Sequence, residues 1–142
     1  MPDRVENFLT EWHRMVAAKD LDALGSLLSE DVSLGVPPYW EKLQGHALAH
    51  HLLGLIVNTI AEFTYRREWR QAPELALEFT GHIGDLELQG IDLITLDEQC
   101  HVTNLDVLMR PVNAIHALRD EIGPQMAAFL AQGRTDGGRG EG

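Results

Sequence analysis

At Glu62 the spacing of apolar residues changes from a helical period to a period of two, so the chain must build two kinds of element. Beyond that point, "EFTYRREWR" sets Phe63, Tyr65, Arg67 and Trp69 against Thr64, Arg66, Glu68 and Arg70. "LALEFTGHI" sets Leu75, Leu77, Phe79 and Gly81 against Ala76, Glu78, Thr80 and His82. "LELQGIDLITL" gathers Leu86, Leu88, Gly90, Asp92, Ile94 and Leu96 on one face, and "HVTNLDVLMR" gathers Thr103, Leu105, Val107 and Met109. Side chains alternate across a strand, so each stretch is a strand with one apolar face. The short connections "APE", "GD" and "DEQC" imply an antiparallel meander.

A sheet with one apolar face needs a cover, and the N-terminal half supplies it. Arg4 to Lys19 carries Val5, Phe8, Leu9, Trp12, Met15 and Val16 at helical spacing. "DLDALGSLLSED" reads as a second short helix with Asp20 as its N-cap. "VSLGV" is a short strand stopped by Pro37 and Pro38, "PPYWEKLQG" is a loop, and Leu48 to Ile60 is a third helix. After Pro111, Ala114 to Leu130 reads as helical with an interruption at Gly123–Pro124. "GRTDGGRGEG", residues 133–142, has no apolar residue and is expected to be disordered, which leaves 1–132 as a single domain.

At 142 residues, 44% hydrophobic and 23% charged, the chain is long enough and apolar enough for one globular core. A net charge of −11 argues against nucleic acid and anionic membrane surfaces as partners. It also repels anionic substrates at long range, which favours a neutral or cationic small molecule. Cys100 is the single cysteine, so no internal disulfide forms, as suits a reducing compartment. "MPDRVENFLTEW" lacks the pattern of a signal peptide, and no apolar run approaches membrane-spanning length. The expected location is cytoplasmic.

The order helix, helix, strand, Pro-loop, helix and four strands, with "AAKDLDALGSLLSEDVSLGVP" and "GIDLITLDEQCHVTNLDVLMRP", resembles the NTF2-like superfamily in its SnoaL-like and ketosteroid-isomerase-like branch. The resemblance covers Val5 to Pro111 and implies an α+β fold: an NTF2-like cone, its strongly bent, mostly antiparallel sheet wrapped on N-terminal helices. It also implies an apolar pocket and a homodimer, here through the outer face of the sheet. The fold hosts isomerases, dehydratases, epoxide hydrolases and cyclases as well as binding domains, so it settles no reaction.

A ketosteroid-isomerase-like site needs a carboxylate base after the first strand, with a Tyr and a protonated Asp as oxyanion donors. By the resemblance these positions fall on Val36, Trp12 and Asp92, and Val36 cannot accept a proton. A limonene-epoxide-hydrolase-like site fares no better. Gly90 stands where its Arg is needed and Val107 where its second Asp is needed, with Asp106 one residue away on the opposite strand face.

Asp92 is the candidate catalytic residue, because a carboxylate in an apolar row has its pKa raised by desolvation. The structural alternative is an Asp bonded to Trp12, Tyr65 or a buried backbone group. Trp12, Tyr65, Trp69, Leu105 and Val107 are candidate pocket walls, although inward aromatics are more often plain core. Tyr39 and Trp40, in the Pro-bounded loop, are candidates for a gate, with a plug or dimer contact as the alternative. His46 and His50 in "HALAHH" lack the Glu of a zinc helix and read as a solvated face or cap region, so no metal is expected. His82 reads as part of a solvated charge ladder with Glu78, Arg66, Glu68 and Arg70. No cofactor-binding pattern is present. Three functions remain open: cofactor-independent proton transfer on a small apolar molecule, as an isomerase, dehydratase or cyclase; binding without catalysis; or a dimeric assembly domain with a filled core and no pocket.

Overall fold

The structure, a computed structural model, describes residues 2–141, with side chains for 4–132. The disordered tail expected over 133–142 therefore falls outside the described side chains. In chain order the elements are α1 (Pro2–Ala18), α2 (Leu21–Leu27), β1 (Leu28–Gly35), β2 (Leu43–Gln44) and α3 (His46–Thr59). They continue with β3 (Ala61–Gln71), β4 (Glu74–Ile83), β5 (Leu86–Leu96), β6 (Val102–Arg110) and α4 (Val112–Glu141). Asp20 caps α2 as its sequence position suggests, its side chain accepting from the Ala23 N–H at 3.2 Å.

The six strands form one sheet in the order β2-β1-β6-β5-β4-β3. Only β1 and β6 are parallel; every other pair is antiparallel. This is the α+β, cone-like architecture that the resemblance implies. β4 and β5 pair without a break from Glu74↔Thr95 to Ile83↔Leu86, and there the alternation read from sequence holds residue for residue. Leu75, Leu77, Phe79, Leu88, Ile94, Leu105 and Val107 are buried on the inner face. Against them pack Phe8, Leu9, Trp12, Met15 and Val16 of α1, Leu24 of α2, and Leu52, Leu53 and Ile56 of α3. Ala114, Leu118 and Ile122 of α4 complete the core.

Register shifts bend the sheet. β3 carries two, between Ala61 and Thr64 and between Tyr65 and Glu68, and each inserts one extra residue opposite β4. The second shift inverts the faces of the strand's end. Arg67 and Trp69, expected on the inner row, are exposed, and Trp69 retains 49% of its surface with the Arg67 guanidinium 5.5 Å above its ring. Glu78, expected in a solvated ladder, is 1% exposed. The bulge places Arg67 over it, with Nε 2.5 Å from Oε1, and Gln89 donates from the next strand. The Arg67 and Gln89 hydrogen bonds pull the Glu78 carboxyl down to about 2.

α4 also departs from expectation: it runs through Gly123–Pro124 without a break. The carbonyl that loses its N–H partner belongs to Asp120, itself an exposed residue. Gly123 has no Cβ to meet the proline ring, which removes the usual clash before proline.

Candidate functional site

Asp92 sits midway along β5, paired with Leu77 of β4 and Val107 of β6, and is 6% exposed. Two donors act in series on it. The Trp12 indole N–H donates to the Tyr65 hydroxyl at 2.9 Å, and the Tyr65 O–H donates to Asp92 Oδ2 at 2.6 Å. Burial pushes the Asp92 carboxyl up to about 7, against a smaller downward pull from the Tyr65 bond. Burial and the neighbouring Asp92 charge raise the Tyr65 phenol well above its ordinary value, so it stays a donor. Every sealed side-chain nitrogen and oxygen among the described residues has a partner, so Asp92 Oδ1, which takes no bond, keeps access to the space beside it.

That space is small. The inner chamber, walled by Trp12, Tyr65, Phe79, Leu105 and Val107 around Asp92, has a volume of about 20 Å³. It has room for about one water molecule and none for a ligand. Its aromatic wall is self-packed, with Phe8 stacked on Trp12 at 5.5 Å and Phe63 on Phe79 at 4.6 Å. Gly90 lies against the Phe79 ring of this wall, where a Cβ would overlap that ring and the Leu108 carbonyl.

An apolar cleft of about 340 Å³ lies next to the chamber, bounded by Val36, Pro37, Tyr39, Leu43, Leu52 and Ile56 on one side. Leu118, Ile122, Gly123 and Met126 of α4 form the other side, and Glu41 and Arg119 are its charged members. Ile56 lines both spaces. A larger hollow of about 650 Å³ on the outer face is walled by charged side chains including Glu62, Arg66, Glu87 and Arg110.

The structure thus brings Asp92, Trp12, Tyr65, Leu105 and Val107 together, and sends the other candidates elsewhere. Tyr39 lines the cleft while 60% exposed, Trp40 is 92% exposed and lines neither space, and Trp69 lies outside both. The α4 wall was missing from the sequence-derived list, although its stripe Ala114, Leu118, Ile122 and Met126 recurs every four residues.

His46 and His50 are half-buried rather than solvated. Their Nε2 atoms lie 2.7 Å from the Gly25 carbonyl and 2.6 Å from the Leu21 carbonyl, which ties α3 to α2. Among the described residues no three His, Cys, Asp or Glu side chains gather as metal ligands, and no helix is long and apolar enough to cross a membrane.

No protein-family model matches the chain, and no curated protein matches it. Among solved structures, a steroid delta-isomerase from Pseudomonas aeruginosa is 30% identical with a TM-score of 0.83, over 90% of this chain and 95% of that one. A protein of cystatin-like fold from Silicibacter pomeroyi is 33% identical with a TM-score of 0.81, over 87% and 90% of the two chains. An NTF2-like protein from Burkholderia xenovorans shares the fold at 16% identity and a TM-score of 0.67, over 76% and 84%. The chain belongs to the NTF2-like superfamily, in its ketosteroid-isomerase-like branch. Within this NTF2-like frame the three positions singled out by resemblance do not meet. Trp12 and Asp92 share the inner chamber, Val36 lines the cleft, and the Trp12 N–H is already spent on Tyr65.

Proposed function

We propose that this protein binds a small, neutral, largely apolar molecule in the cleft between the 37–43 loop, α3 and α4, with Asp92 in the chamber behind the cleft. The observation that carries this reading is the adjacency of an apolar cleft of about 340 Å³ to a buried carboxyl, with Ile56 common to both. The volume falls at the lower end of the roughly 300–1,000 Å³ typical of small-molecule sites. The charge of −11 disfavours anions. Similarity to a steroid delta-isomerase supports an apolar ligand, but Val36 offers no base and Trp12 no free donor, so that reaction does not carry over intact.

Proton transfer is the second reading, and the Asp92 carboxyl near 7 favours it, because a group that titrates there both gives and takes a proton. The free thiol of Cys100 supports a reducing, cytoplasmic setting, and the uncovered outer face of the sheet supports a homodimer.

The neutral dye N-phenyl-1-naphthylamine, which brightens in apolar sites, tests the binding reading. Binding is expected in the native protein and its loss in Met126→Trp, which fills the cleft; equal binding in both would remove the cleft from consideration. Mass spectrometry of a co-purified ligand would then supply a substrate for Asp92→Asn. Retained binding with lost turnover selects proton transfer, and retained turnover eliminates it.

A further inference from the structure

We infer that Ile56 is a partition that closes the inner chamber of Asp92 off from the outer cleft, so that a ligand seated in the cleft reaches the acid only when this side chain is trimmed. This rests on the binding reading above. On α3, Leu52 and Ile56 face the cleft, whereas Leu53, Ile56 and Val57 face the chamber. Residues four apart share one helical stripe and the 53–57 pair forms the adjoining stripe, so Ile56 stands at the seam. It is 5% exposed and is the one described residue that lines both spaces. A β-branched side chain on a helix is held close to one χ1 rotamer, so the divider is stiff. Behind it waits Asp92 Oδ1, the oxygen that Tyr65 leaves free. The cleft therefore takes an apolar body, and a polar group on that body meets Asp92 only once the partition is removed. That group is an acceptor when Asp92 is protonated and a donor when it is ionised.

The other charged groups are distributed so that Asp92 is separable. Tyr65 of β3 is the other ionisable side chain in the chamber, and His13 of α1 packs edge-on against its ring at 5.0 Å while bonding Glu68. His46 and His50 of α3 point to α2, and His51 stacks on Phe129 of α4. Glu41, Arg119 and Tyr39 belong to the cleft alone.

The test uses N-phenyl-1-naphthylamine, a neutral probe with one N–H donor, in a Trp40→Phe/Trp69→Phe background that leaves Trp12 as the sole tryptophan and energy donor. In that background the probe is expected to bind with an affinity that is flat from pH 5.5 to 8.5. Ile56→Ala is expected to bind it several-fold tighter above pH 7 than below, with stronger energy transfer from Trp12, and Ile56→Ala/Asp92→Asn to lose the pH dependence. Ile56→Val should move both readouts in the same direction by less, and serves should the alanine variant fail to fold. If the background protein binds the probe and Met126→Trp abolishes it, yet the Ile56 variants keep a flat profile, the partition is wrong and the cleft stands. If the background protein does not bind the probe, or Met126→Trp leaves binding unchanged, the cleft reading itself falls and the partition with it.

Discussion

Asp92 is fixed by one donor, the Tyr65 hydroxyl, which Trp12 holds in turn, and it is kept where its charge is least welcome. The consequence for stability follows from linkage. Its carboxyl titrates near 3.8 when solvated and near 7 in the fold. Below the lower value both states hold the proton and nothing is lost. Between the two, the native state keeps a proton that the unfolded chain has released, so stability falls as pH rises. Above pH 7 the full penalty is present. At about 1.4 kcal/mol per pH unit, the native protein should lose roughly 3 kcal/mol between pH 5 and pH 8 on this account. Asp92→Asn keeps the acceptor for Tyr65 and removes the titration, so urea unfolding of that variant should lack this loss. Parallel stability profiles for the two proteins would show that the buried charge is relieved by some other route. This misfit was legible in sequence because β5 is a regular strand whose alternation puts Asp92 among leucines. Its Tyr65 partner was among the alternatives the pattern allowed. Glu78 was not legible, because the residues that bury it arrive through a bulge that composition does not mark.

At the level of elements, alternation predicted faces correctly where the β4–β5 ladder is uninterrupted and failed past the second inserted residue of β3. β4 and β5 show the first case; Arg67 and Trp69 show the second, one residue of slip moving them to the opposite face. α4 teaches a related lesson. Gly and Pro in succession read as a break, yet the helix continues because Gly123 offers no Cβ to the proline ring and the orphaned carbonyl belongs to an exposed residue, Asp120. The missing N–H still costs something. Pro124→Ala restores the intrahelical bond and should stabilise the protein by roughly 1–3 kcal/mol, after allowing for the greater freedom of the unfolded chain. Differential scanning calorimetry should show a raised Tm. An unchanged or lowered Tm would mean that this half of α4 contributes nothing to the cooperative fold.

For the whole molecule, the helices and the inner rows of the sheet account for the core, and the outer rows are left uncovered. On that outer face Ala76 pairs with Leu93 and Ile91 with Leu108, which makes a contiguous apolar patch at the sheet centre. Leu93 is 38% and Leu108 54% exposed, an expensive arrangement for a lone monomer and an ordinary one for a self-complementary interface. Around the patch, Arg67 on Glu78 and Lys42 on Asp106 at 3.0 Å neutralise acids that would otherwise repel a second copy. Each chain still brings a charge of −11 to the encounter, so long-range repulsion opposes pairing and salt should relieve it. Sedimentation velocity is therefore expected to find a dimer that tightens as salt is added. Leu108→Lys puts an unpaired charge at the centre of the patch and should yield a monomer. Because the patch lies across the sheet from Asp92, that monomer should keep the pH-dependent stability assigned to the buried acid. A native protein that sediments as a monomer at tens of micromolar in high salt would overturn the pairing; a Leu108→Lys variant that stays dimeric would move it to another face.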